Sequence, residues 1–263
     1  MYPDGFNPRI MRMCAYSGFL FAFLWPFAAG VIAQGQYILP PSANAPVAEV
    51  IAEYTDHLTS TRIAVTVLIF STICYTTWGM AVSMLTKKRE GDFPILFYIQ
   101  VVSLTTCVVV IFFIAYFWAG ASWRAGETAY SATRALHDMG WLGVLYTGAP
   151  FATYMMALAA QTFTDRSPNP IFPRWSAYFN IFVTIFMFEA AGILFFKTGP
   201  LSQNGIAVFW IPMVVFFTWI IVFARLTLKA IDNEIAFREA AGIKPLPRRG
   251  TGALEPQTVP THS

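Results

Sequence analysis

Six stretches of predominantly apolar residues, at about 14–34, 62–85, 95–118, 141–162, 177–197 and 206–229, dominate the chain. Each is close to the roughly 20 residues that a helix needs to cross a hydrocarbon core. Inside that core every backbone polar group must find an internal partner, so runs of this length imply helices. A β-barrel would show short alternating segments instead, and none occurs. Charged residues make up only 12% of the 263, about half the share usual in a soluble domain. The expected fold is therefore an all-α integral membrane protein, a six-transmembrane-helix bundle spanning residues 1–230. The spans pair along the chain into three helical hairpins. Residues 231–263 follow as a cytoplasmic helix extension, to about 241, and a disordered tail. The first stretch is longer than a signal-peptide core, so it counts as a span.

Charge orients the bundle. Of the 17 lysines and arginines, only Arg62, Arg124, Arg134 and Lys197 fall on one side of the spans, which leaves 13 for the other. The positive-inside rule puts the basic side, with both termini, in the cytoplasm. The basic residues thus report topology, and no nucleic-acid patch is visible. Trp118, Trp123, Trp141 and Trp210 are expected at the outer water interface, with Trp175 and Tyr178 at the inner one. Two outer loops, 46–60 and 125–139, carry apolar residues at helical spacing and should form short interfacial helices. Pro26, Pro150 and Pro212 fall within spans and should kink them. Cys14, Cys74 and Cys107 are odd in number, lack a CxxC spacing, and read as small core residues.

Two constellations could carry chemistry. Glu189 is the one acidic residue deep in a span, where a charge costs about 2.5–3.5 kcal/mol on insertion scales. It serves either as a proton or ligand site, with Lys197 two turns further on, or as a neutral acid bonding a neighbouring helix. Lys197 near the span end otherwise snorkels to water. On the outer face, His57 and His137 each stand beside an acid, Asp56 and Asp138, and Glu53 precedes His57 by one helical turn. Imidazole and carboxylate together suit a transition-metal ion, provided the two hairpins touch. The plainer alternative is capping and interface hydrogen bonding, with Asp138 near the start of the fourth span. Neither histidine falls inside an apolar stretch. No P-loop, H-E-x-x-H or G-x-S-x-G motif is present.

One segment carries a resemblance. Phe172-Pro173-Arg174-Trp175, Tyr178-Phe179-Asn180, Lys197-Thr198-Gly199-Pro200, Asn204-Gly205 and Phe209-Trp210 with Pro212 resemble a group of uncharacterised bacterial multi-spanning inner-membrane proteins. The likeness is strongest over 166–212. It implies a bacterial inner membrane and no particular activity. The leading functional reading is non-enzymatic: binding or passage of a small, largely apolar ligand in an intramembrane cavity. Next comes a non-catalytic subunit that joins other membrane subunits or a homo-oligomer. Third is a metal-dependent membrane enzyme using the outer His/Asp site.

Overall fold

The computed structural model describes residues 1–123, 125–126 and 130–246, with the side chains of 130–131 and 189–191 outside the description. Among the described residues there is helix and no strand. Helix α1 runs Pro8–Phe27, α2 Val47–Thr55, α3 Leu58–Lys87, α4 Ile95–Trp123, α5 Tyr130–Tyr146, α6 Gly148–Thr164, α7 Arg174–Glu189 and α8 Ile211–Ala240. Six segments are long and apolar enough to cross a membrane: Pro8–Ile32, Leu58–Lys87, Ile95–Trp123, Ala132–Thr164, Arg174–Leu194 and Ile206–Ala240. This is a multi-pass membrane protein.

The spans form a closed ring. Each packs on the next in sequence, and α8 closes the ring against α1. The third hairpin is not a tight unit, because α7 lies mainly against α6 rather than α8. Small residues let the helices approach. A Cβ on Gly18 would come within 2.6 Å of the Trp78 ring, one on Gly143 within 2.8 Å of Ile114, and one on Gly148 would strike the Met187 carbonyl.

An even number of spans brings both termini to one end, here called the terminal end, and side chains lock them there. Arg238 donates from Nη1 and Nη2 to the two Asp4 carboxylate oxygens (2.9 and 2.6 Å) and from Nε to Glu234 (2.7 Å). Its guanidinium also stacks over Tyr2 and Phe6. Lys88, from the α3–α4 turn, donates to Glu234 at 2.7 Å. Nearby, Glu90 accepts from the Leu96 and Phe97 amides (2.7 and 2.8 Å), which caps the start of α4. It also accepts from Gln161, whose own carbonyl accepts from Gln100. This end is a dense polar lattice with its partners in place.

The prolines act where they stand, and they act on hydrogen-bond register. Pro150 lacks the N–H that Tyr146 would bond, and the fourth span breaks there into α5 and α6 at Thr147. Downstream of Pro26 the first span widens to a π-turn over Ala28–Ile32, and Ala33 donates to the Ala28 carbonyl at 2.9 Å. A second π-turn, Ile206–Trp210, leads into Pro212 and α8. The fifth span leaves α7 as a 3-10 turn at Ala190–Leu194. These irregular turns lie toward the far end, opposite the termini.

Two sequence expectations change. Loop 46–60 does contain the short helix α2, but 125–139 forms no separate helix: its described part belongs to α5 and runs into the fourth span. Trp118 and Trp141 do not stand in an interfacial belt. They are 0% and 2% exposed, with Trp118 seated where Gly140 provides no side chain. Trp123, Trp175, Tyr178 and Trp210 are exposed, as an aromatic belt requires.

Candidate functional site: a cavity beneath the far-end aromatic cluster

Every span except the second contributes to one apolar cavity. Its walls are Phe21 and Trp25 from α1, Ile111 and Ile114 from α4, and Gly143 to Phe151 across the α5–α6 break. Phe186 and Met187 of α7 complete them, with Val208, Pro212, Met213, Phe216 and Phe217 of the last span. The broken helices explain why there is space. The fourth span is interrupted at Thr147, where α5 ends and α6 restarts, and the π-turn at Ile206–Trp210 shifts the register of the facing wall. Irregular backbone at membrane depth is tolerated where it is buried or lines a cavity. The volume is about 80 Å³, several times the roughly 10–15 Å³ that one water needs on the same measure. Thr147 is the single wall residue with a polar side chain beyond the Trp25 indole, and its hydroxyl donates to the Gly143 carbonyl.

Above this cavity lies the far-end cluster. Tyr37 stacks on Trp118 at 4.3 Å between ring centroids, Trp118 meets Trp141 at 5.1 Å, and Trp25 meets Trp118 at 6.4 Å. His137 stands one turn before Trp141, with ring centroids 6.4 Å apart. Helix α2 lies across the top and seats Tyr54, whose hydroxyl shares a 3.0 Å hydrogen bond with His137 Nδ1. Ala115, Leu145, Val208 and Phe209 fill the rest with carbon. Trp25, Ile114, Leu145 and Val208 belong to both the cluster and the cavity wall.

The sequence-derived site residues fare unevenly. Helix α7 ends at Glu189, within a turn of the cavity residues Phe186 and Met187, but the Glu189 side chain lies outside the described residues. Lys197 is exposed in the loop beyond the fifth span. Glu53 and His57 do not share a helical face, because α2 ends at Thr55 and His57 occupies the cap position before α3. Asp56 and His57 are exposed, whereas His137 is buried at 1% exposure. His137 lies within the fourth span rather than before it, since the span begins at Ala132. Asp138 does not cap that span. It sits inside α5, where Arg134 donates to it at 3.0 Å across one turn and also donates to the Ala45 carbonyl at 2.8 Å. Among the described residues no group of three or more His, Cys, Asp or Glu side chains could hold a metal ion.

Glu53 is the titratable group of note outside the spans. Burial, with the Glu49 carboxylate adding to it, pushes its carboxyl up to about 7. Among the described residues one of its oxygens, Oε2, is buried with no hydrogen-bond partner. Residue types gave no warning of the Trp25–Trp118–Trp141 group. The available signal was the spacing of Trp118 and Trp141 from small residues, Ala115, Gly140 and Gly143, which is how tryptophans seat between close helices. No family model, curated protein or solved structure matches this chain.

Proposed function

We propose that the protein resides in a bacterial inner membrane with both termini cytoplasmic, and that it binds or passes a small, largely apolar compound in the cavity between its spans. The observation that carries this reading is the cavity itself: apolar, enclosed between spans, and walled in part by the helix breaks of the fourth and sixth spans. Concave apolar sites between bundle helices are where small ligands usually bind. The excess of Lys and Arg on the terminal side supports the orientation.

The test uses tetralin, a bicyclic hydrocarbon, as probe on protein embedded in lipid nanodiscs. A ligand that binds the folded state alone raises the melting temperature by mass action. Tetralin is expected to raise the melting temperature of the native chain and to leave Met213→Trp, which fills the cavity, unmoved. A shift of equal size in both proteins would mean that the hydrocarbon acts through the bilayer and would refute the reading.

A further inference from the structure

Charge at the terminal end is only partly paired. Among the described residues Arg12, Lys88, Arg89 and Arg238 make ion pairs there, whereas Arg225 and Lys229 of α8 are exposed and make none. These two stand one turn apart, so their side chains leave one helix face about 5–6 Å apart at Cβ. The same face continues away from the terminal end through the exposed Thr218 and Val214, which marks it as lipid-facing. The next acid along it, Asp232, is held by Arg12 at 2.6 Å. Neighbours set the depth. Phe223 packs on Phe172, just ahead of α7, with ring centroids 5.5 Å apart. Arg225 and Lys229 follow Phe223 and so lie at the water interface, beside the level where Trp175 is exposed.

From that level an aromatic ladder climbs α7. Trp175 meets Phe179 at 6.4 Å between ring centroids, Phe179 meets Phe182 at 6.4 Å, and Phe182 meets Phe186 at 5.0 Å. Phe186 lines the cavity. From Trp175 to Phe186 the helix rises about 16 Å, close to half of the roughly 30 Å hydrocarbon core, which is one leaflet. The ladder and the two cations share one side of the α7–α8 seam. Inside the seam Trp219 donates to Asn180 at 2.7 Å. Lys229 stands about 80° around α8 from Trp219, and Phe179 about 100° around α7 from Asn180. Because the helices are antiparallel, both rotations lead to the lipid-facing side, where Trp175 and Phe182 are half exposed.

Cations at a membrane surface attract anionic lipid, and guanidinium and ammonium groups both bind phosphate. We propose that an anionic phospholipid of the leaflet at the terminal end docks along the α7–α8 seam, with its phosphate on Arg225 and Lys229 and one acyl chain following the Trp175–Phe186 ladder into the cavity. The inference rests on the cavity reading above and gives the cavity an occupant drawn from the bilayer itself.

The probes are dioleoyl phosphatidylglycerol, which is anionic, and dioleoyl phosphatidylcholine, which has the same chains and no net charge. Each is titrated into the purified chain in mild detergent, and bound lipid is read by native mass spectrometry. The native chain is expected to bind phosphatidylglycerol on the order of tenfold tighter, the scale of two interfacial cations. The double replacement Arg225→Gln with Lys229→Gln should bring the ratio toward one and leave the melting temperature unchanged, since both side chains are exposed. Phe182→Ala, which removes an exposed rung, and Met213→Trp, which fills the cavity, should each weaken both lipids and keep the preference. Equal affinity of the native chain for both lipids, or a preference that survives the double replacement, overturns the proposal. Lipid binding that neither Phe182→Ala nor Met213→Trp weakens takes the chain off the ladder and overturns it as well. In phosphatidylcholine nanodiscs the tetralin shift decides the cavity reading without the headgroup site, so the two readings fail separately.

Discussion

The two ends of the bundle treat buried polar groups in opposite ways. At the terminal end, Arg238 has three carboxylate contacts, and Glu90, Gln161 and Gln100 form a continuous chain of donors and acceptors. At the far end, the indole nitrogens of Trp25, Trp118 and Trp141, His137 Nε2, the Tyr37 hydroxyl and Glu53 Oε2 are buried without a hydrogen-bond partner among the described residues. The far end is built around tryptophan, the terminal end around Arg238. A satisfied network holds a fold together, whereas buried groups left unpaired cost stability. The contrast separates an end locked by polar contacts from an end held by aromatic packing.

The sharpest way to break this comparison is at Arg238. Its side chain is 5% exposed, and it joins α8 to the N-terminal segment across 234 residues. Arg238→Leu leaves Glu234 and Asp4 with Lys88 alone as ion-pair partner among the described residues, at 2.7 and 3.7 Å. Removing one partner of a fully buried pair costs about 3–5 kcal/mol. Asp4 is half exposed, so the expectation is about 2 kcal/mol after screening, read as a lower melting temperature in mild detergent. A loss below about 0.5 kcal/mol, the usual range of a surface substitution, would mean that the lattice does not lock the termini.

A matched pair of tryptophans comes next. Trp219 Nε1 donates to the buried Asn180 Oδ1 at 2.7 Å, while Trp118 Nε1 has no partner, and both rings are fully buried. Tryptophan to phenylalanine removes the same volume at either site. Trp219→Phe also orphans the Asn180 oxygen, and Trp118→Phe removes an orphan. Trp219→Phe should therefore destabilise by about 1–3 kcal/mol more. Equal losses in chemical or thermal unfolding would show that the Trp118 N–H is satisfied in the apo protein.

The ends should also titrate with opposite sign. Arg238 holds the Asp4 carboxyl well below its ordinary 3.8. A depressed acid contributes stability above its unfolded value and loses it as pH falls through the folded one, so the terminal lock weakens in acid. Glu53 is raised from 4.5 to about 7. Its contribution is complete below 4.5 and declines as pH rises through about 7. Glu53→Gln should flatten the stability profile between pH 4.5 and 7 and leave the acid limb, which Asp4→Asn should flatten instead. A profile unchanged by Glu53→Gln would place that carboxyl in water. The smallest effect belongs to Lys197: its exposed side chain predicts that Lys197→Gln changes stability by less than about 0.5 kcal/mol in the same unfolding assay.

Span number and helix α2 were legible because they depend on local hydropathy and spacing alone. The proline positions were legible too, since a missing N–H acts on its own helix. Burial within the spans was not. In α4 the buried Phe97, Leu104 and Ile111 are no more apolar than the exposed Val102, Val109 and Phe112, because lipid and core accept the same side chains. Trp118 and Trp141 therefore read as interface markers until their packing partners were in view. The Arg238–Asp4 lock was hidden for a different reason: its partners are separated by the whole chain, and spacing along a sequence carries no information about that closure. For His57 and His137, spacing was misleading, because the chain turns between Thr55 and Leu58 and separates Glu53 from His57.

The most direct measurement of the central claim is an indole N–H spectrum of protein with ¹⁵N-labelled tryptophan in nanodiscs, assigned by single Trp→Phe replacements and titrated with tetralin. The account predicts that tetralin moves the signal of Trp25, which lines the cavity, and leaves Trp219, which does not, in place. Indole signals that all respond alike, or a Trp25 signal that does not respond, would contradict it.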